Sequence, residues 1–303
     1  MSRRGSYIGV GPVPSPADEA MLLGLAKKVN LSVTELRHEP MLHLERLGLA
    51  DEDMDALSRA LAANQSAQSL WLSGNAISNA GAALLAKAIP ASSLTDLVLS
   101  ANELQDDGVA AIAASLSKTH VLRSLHLNHN EITDAGATTL ADALISSSKT
   151  HFARLNLNSN RIADPGAVAL AKALEVHPAL TELDLGHNPI TDVGVKALAL
   201  AGTSSPKLAK LDLSGAHERQ GLITSEGAVS LASLVEASSS LRTLLLRNNC
   251  IDDRGAAALA VALSKNKGLE ELSVRGNAIS AEGAERMVSI WESSGHMAQR
   301  FFK

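Results

Sequence analysis

Ser66-Ala-Gln-Ser-Leu70-Trp-Leu72-Ser-Gly-Asn75-Ala-Ile77-Ser-Asn-Ala-Gly81-Ala-Ala-Leu-Leu85 sets the architecture of the chain. Its leucines, asparagine, isoleucine and glycine return at the same offsets in Leu97/Leu99/Asn102/Leu104/Gly108 and in Leu125/Leu127/Asn130/Ile132/Gly136. They return again around Asn160, Asn188, Asn249 and Asn277. From Asn75 to Asn188 the asparagines are 27, 28, 30 and 28 residues apart, and Asn249 and Asn277 are 28 apart. A fixed period of this length indicates a stack of like units, each contacting mainly its neighbours.

Each unit reads L-x-x-L-x-L-x-x-N, the leucine-rich repeat pattern. The L-x-L core alternates, so its leucines face one way and the intervening residues the other. After each glycine comes an alanine-rich segment with helical apolar spacing, as in Gly166 to Leu174. The unit is therefore strand, turn, helix. The expected fold is an α/β leucine-rich repeat solenoid, a horseshoe of about nine repeats. Its parallel sheet lines the concave face and its helices the convex face. In such a coil the asparagine amide is placed to satisfy backbone groups of neighbouring turns.

The helical half, with its Ile-x-x-x-Gly-Ala entry, resembles the ribonuclease-inhibitor-like class of leucine-rich repeats. Asn stands here where the inhibitor often has Cys. In this the repeats are more similar to those of Ran GTPase-activating protein, NOD-like receptors and axonemal leucine-rich repeat proteins. The resemblance implies a non-enzymatic interaction scaffold, a structural subunit of a multi-subunit assembly, cytoskeletal or ciliary, in the cytoplasm. The alternative it implies is a GTPase-activating protein for a small GTPase. Against that, the chain ends in Gln299-Arg-Phe-Phe-Lys303 rather than in an acidic tail.

Composition narrows the classes. Apolar residues make up 46% of the 303, enough for a continuous core, and aromatics only 2%, so Leu, Ala, Ile and Val must fill it. A net charge of −5 argues against a nucleic-acid partner. No apolar run reaches membrane-spanning length, so no membrane insertion is expected. The lone Cys250 allows no internal disulfide and fits a reducing compartment. No catalytic or phosphate-cradling motif occurs, and no cofactor is implied. His126 and Asp184 share a face but lie two strands apart, about 10 Å, too wide for one metal ion.

Residues 1–15 read as an irregular Gly/Pro arm and 16–41 as a helical cap. That cap opens with Ser15, Pro16, Asp18 and Glu19, with Met21, Leu22, Leu25, Ala26 and Val29 as its apolar face. Repeats fill 42–290, and 291–303 form a C-terminal cap and tail with Trp291 as lid. In the first repeat Leu44, Leu47 and Leu49 fit the pattern, with Glu52 at the asparagine position. The seventh carries an insertion near 214–222 and lacks the asparagine. The tip of that insertion, His217, Glu218 and Arg219, is a candidate partner contact. Phe301 and Phe302 either fold back over the last repeat or insert into a partner.

The concave strip supplies the remaining candidates. Trp71 and Val98 make one end apolar and His126 follows. Asp184 and Asp212, with Glu182, make the middle acidic. Arg242, Leu245, Arg247 and Arg275 make the far end basic with an apolar residue. Exposed Trp and Arg are the composition of interface anchors.

Overall fold

The computed structural model describes residues 15–147, 151–216, 221–295 and the backbone of 301–302. Two cap helices, α1 (Pro16–Lys28) and α2 (Val33–His38), lead into nine strand–helix units. The strands are β1 (Met41–His43), β2 (Ser69–Trp71), β3 (Asp96–Val98), β4 (Ser124–His126), β5 (Arg154–Asn156), β6 (Glu182–Asp184), β7 (Lys210–Asp212), β8 (Thr243–Leu245) and β9 (Glu271–Ser273). The helices that follow them are α3 (Asp51–Ala63), α4 (Asn79–Ala86), α5 (Asp106–Leu116), α6 (Asp134–Ser146), α7 (Asp164–Val176), α8 (Asp192–Ser204), α9 (Ser225–Ala237), α10 (Asp253–Lys265) and α11 (Ala281–Ser293). A short tenth strand, β10 (Phe301–Phe302), closes the sheet by pairing with β9.

All pairing is parallel and in sequence order from β1 to β10. Leu42, Leu70, Leu97, Leu125, Leu155, Leu183, Leu211, Leu244 and Leu272 are register partners along the sheet, and all are buried. They form one continuous core with the helix leucines and alanines. Strands repeat every 4.8 Å or so, whereas packed helices need about 8–10 Å. The helical side is therefore the longer arc, and the stack bends with its sheet on the inside.

Two polar ladders tie the units together. In the first, Asn75 Nδ2 donates to Leu44 O and Leu72 O, both at 2.8 Å, and its Oδ1 accepts from Leu47 N and Leu49 N at 3.0 Å. Asn102, Asn130, Asn160, Asn188 and Asn277 repeat the arrangement. The residue before each of these asparagines has positive φ, from Gly74 at 70° through Ala101 at 52° to Gly276 at 76°. The turn thus demands a left-handed residue whatever its side chain.

The second ladder joins helix N-termini. Asp106 Oδ1 accepts from Thr133 N at 2.8 Å and Gly136 N at 3.0 Å, while its Oδ2 accepts from the Thr133 hydroxyl. Asp51, Asp164 and Asp192 do the same for the next unit along, Asp134 accepts only the Ala163 and Gly166 amides, and Asn79 and Ser225 stand in once each. This explains the invariant spacing of the glycine. A Cβ on Gly136 would lie 2.5 Å from Asp106 Oδ1 and 2.7 Å from Ile132 Cγ2. Close approach, and no unusual backbone angle, excludes a side chain there.

Several readings need correction. The first repeat is offset by five residues from the register read in the sequence. Leu42-His43-Leu44 is its strand core, and Leu47 takes the asparagine position. A unit with no upstream turn to satisfy can carry an apolar residue there. Glu52 lies instead in the first turn of α3. Met21 points away from the cap core and is exposed, whereas Leu22, Leu25, Ala26 and Val29 are buried. Trp291 is fully buried within α11. Among the described residues no helix is long and apolar enough to cross a membrane.

Candidate protein interface

The concave face presents three rows of side chains, because each strand directs alternate residues outward. One outward row runs Met41, Ser69, Asp96, Ser124, Arg154, Glu182, Lys210, Thr243 and Glu271. Its charges alternate in sign from Asp96 to Lys210, and Arg154 Nη2 reaches Asp96 Oδ1 at 3.0 Å across two strand spacings. The sequence reading overlooked most of this row. Only the strand register shows that Asp96, Arg154 and Glu182 share one row.

The second row holds His43, Trp71, Val98, His126, Asn156, Asp184, Asp212, Leu245 and Ser273. Trp71 is 38% exposed, and its ring meets His43 edge-on with centroids 4.7 Å apart. Met41, next to it, is 48% exposed. His126 is half-buried, with Nε2 at 3.0 Å from Ser124 Oγ. Burial, and then the Arg154 guanidinium, hold its imidazole below the ordinary range, with Asp96 and Glu182 acting in the opposite sense.

Asp184 and Asp212 are direct register partners. Their Oδ1 atoms both lie within 3.4 Å of the point where a Cβ on Gly186 would sit. Asn158 Nδ2 and Gly186 N each donate to Asp184 Oδ1 at 3.1 Å, and Ser214 N donates to Asp212 Oδ1 at 2.9 Å. Burial, and then the Asp212 carboxylate, raise Asp184 above the usual carboxylate range.

The third row, two residues further along each strand, ends in Arg247 and Arg275, both exposed. Arg247 Nε donates to the buried Ser273 hydroxyl at 2.7 Å, which fixes the guanidinium plane. Arg247, Asn248, Arg275 and Gly276 line a cavity of 420 Å³. Asn248 N bonds Arg275 O at 2.8 Å, so the two arginines project from adjacent turns.

The structure thus brings Trp71, His126, Asp184, Asp212, Leu245, Arg247 and Arg275 onto one face. Arg242 is placed differently. It precedes β8, and its Nη1 caps the Ser239 and Leu241 carbonyls at 3.0 and 3.1 Å. Its guanidinium also lies 3.8 Å from Glu270. His217 and Arg219 lie outside the described residues. The stems of their insertion are tied to the exit of β8, with Gly215 N bonding Arg247 O and Gly221 N bonding Asn248 O. Phe301 and Phe302 contribute backbone to β10. Among the described residues no group of His, Cys, Asp and Glu is arranged to hold a metal ion.

Residues 91–113, 119–141, 148–171, 176–199, 237–260 and 265–288 each match the Leucine Rich repeat family. The chain is a leucine-rich repeat protein. Among solved structures it is similar to Leiomodin-1 Actin-Binding Site 2, at 16% identity and a TM-score of 0.36, over 54% of this chain and 92% of that one. It is also similar to TLR13 in its complex with ssRNA13, at 17% identity and a TM-score of 0.47, over 84% of this chain and 35% of that one. Neither likeness bears on what this chain binds. A comparison with curated protein sequences finds no match.

Proposed function

We propose that this chain is a non-enzymatic scaffold that docks a protein partner on its concave face, with Trp71 as apolar anchor. Exposed Trp71 carries the reading. It lies on the sheet beside Met41 and His43, while Trp291, the other tryptophan, is fully buried. Tryptophan exposed on a rigid face beside charged residues is the composition of binding hot spots. The strip is also preorganised: parallel strand pairing runs its whole length, so little ordering is needed on binding.

The finer reading is a subunit of a larger assembly, cytoskeletal or axonemal, built on repeats of the ribonuclease-inhibitor-like kind. It rests on the resemblance of the Ile-x-x-x-Gly-Ala units. Two measurements test these readings. Trp71→Ala combined with Arg275→Ala should lose the partners captured by wild type and leave the melting point unchanged. Undiminished capture would place the interface on the convex helices or the termini. The endogenous protein should elute far above 31.5 kDa in a salt-resistant particle. Elution near that mass, or with a small GTPase alone, would favour a soluble regulator, and GTP hydrolysis assays would then decide.

A further inference from the structure

The two layers of the solenoid do not end together. At the N-terminal end the helical layer runs one unit beyond the sheet. Asn64, which caps α3, donates through Nδ2 to Leu36 O and Glu39 O at the end of α2, both at 3.0 Å. Asn266, which caps α10, reaches Val235 O and Ser238 O at the end of α9 in the same way, at 2.6 and 2.9 Å. α2 therefore stands to α3 as α9 stands to α10, and holds the helix position of a unit before the first. That unit has no strand, since the chain ahead of α2 forms α1, and β1 is the edge of the sheet. At the C-terminal end the order is reversed. β10 follows α11 in register, with Phe301 opposite Leu272, and among the described residues no helix follows it. One end thus offers helices without a strand, and the other a strand without a helix.

Each end also exposes what an inner unit buries. Pro40 O and Leu44 N of β1 bond Ser69 N at 3.1 Å and Trp71 O at 2.9 Å. Alternate residues of a parallel strand serve opposite neighbours, so the N–H and C=O groups of Met41 and His43 point off the edge. Among the described residues no backbone group pairs with them. A terminal repeat needs a polar outer face to keep it soluble. Here Met21 and Leu23 of α1 and Met41 of β1 are exposed. In the last unit Ile279, Ala284 and Val288 are half-buried, although the equivalent Ile251, Ala256 and Ala260 of the unit before are buried.

We propose that the two ends are complementary: copies of this chain associate head to tail, with β10 of one copy pairing in parallel with β1 of the next. Phe301 then takes the register position beside Leu42, its N–H donating to Met41 O and its C=O accepting from His43 N. β10 of one copy and α2 of the next make up one complete unit, so sheet and helices run on across the junction. Such an interface joins two different surfaces, and it propagates into an open chain of copies unless the rotation closes a ring. It is separate from the concave docking surface and does not depend on it.

The test follows the full chain by analytical ultracentrifugation over a concentration series. Its weight-average mass should rise with concentration past twice 31.5 kDa. His43→Pro removes an outward N–H of β1, and Phe301→Pro removes that of β10. Neither group takes part in pairing within its own sheet, and melting curves verify that both variants fold. Each variant alone should stay at the monomer mass. Mixed in equal amounts they should form a one-to-one dimer that grows no further, since each supplies the end that the other lacks. Met41→Lys, which sets a charge on the edge, should behave as His43→Pro does. Wild type that stays monomeric at every concentration would overturn the proposal, leaving the β1 edge to the chain's own first residues or to a different protein. A dimer that persists in Phe301→Pro but not in His43→Pro would equally overturn it, because β1 edges would then be pairing with each other.

Discussion

Asn130 is fully buried, and its amide bonds backbone groups of its own turn and of the preceding one. Nδ2 donates to Leu99 O at 2.9 Å and Leu127 O at 3.1 Å, and Oδ1 accepts from Leu104 N at 3.2 Å. Alanine there leaves all three without that partner. Asn130→Ala should lower unfolding free energy by roughly 1–3 kcal/mol, measured by denaturant titration; a variant as stable as wild type would refute the ladder's role. His177 shows a different use of a buried polar group. It caps the C-terminus of α7, and its Nδ1 accepts from Ala179 N at 3.4 Å. Asn64 and Asn266 hold the same cap position in α3 and α10 and accept the equivalent N–H groups at 2.8–2.9 Å. Burial pushes the His177 imidazole below its ordinary value of 6.5. The folded state therefore favours the neutral ring, and stability falls as pH drops from 6.5 toward the lowered folded value. His177→Asn should flatten that decline in melting point between neutral and mildly acidic pH. Part of the slope should survive, because His126 is shifted in the same direction.

The strand–turn–helix unit is held in place by the unit that follows it. The Ile132, Ile162 and Ile251 amides are bonded by Asn160, Asn188 and Asn277 of the next turn. Ile190 would look to the corresponding residue of the seventh repeat, which is Ala216. Gly215, before it, does not adopt the positive φ found before the ladder asparagines, so the insertion alters the turn itself. The Ile190 amide should therefore exchange with solvent faster than those of Ile132, Ile162 and Ile251, by about fivefold or more if one net hydrogen bond is missing. Equal protection would mean that the insertion supplies a substitute acceptor. The aspartate–glycine ladder continues across this unit, through Asp192 to Thr224 and Gly227. The helical side of the array is thus continuous where the asparagine ladder is broken.

Across the whole molecule, the stacking of units sets one pair of like charges, Asp184 and Asp212, directly opposite each other on β6 and β7, which stability alone would not favour. Asp184 shows the cost. Burial and Asp212 raise it from the ordinary 3.8, so the folded state binds its proton more tightly than the unfolded state does. The cost of ionisation is present in full above the raised folded value and is relieved as pH falls toward 3.8. Asp184→Asn keeps an acceptor for Asn158 and Gly186 while removing the charge. It should raise the melting point at pH 7, with the gain shrinking as pH falls toward 3.8. A variant less stable at pH 7 would mean that the carboxylate is needed by the fold itself.

The period of leucine, asparagine and glycine by itself determined the solenoid, the buried face of each strand after the first and the job of the asparagines. Each of these follows from alternation and spacing within one unit. Three features needed the tertiary structure, because each depends on which residues of different units become neighbours. The first repeat's true register emerged only from pairing with β2, since Leu42, Leu44, Leu47 and Leu49 offer two matches to the same pattern. The glycine's necessity emerged from the aspartate of the preceding helix, about 30 residues away in sequence and in van der Waals contact in space. The concave surface resolved into a row of alternating charges beside the Asp184–Asp212 and Arg247–Arg275 pairs, because strand register sets residues 27 to 33 positions apart side by side. Local sequence fixes which way a side chain points, and only the stacking of the turns decides what it meets there.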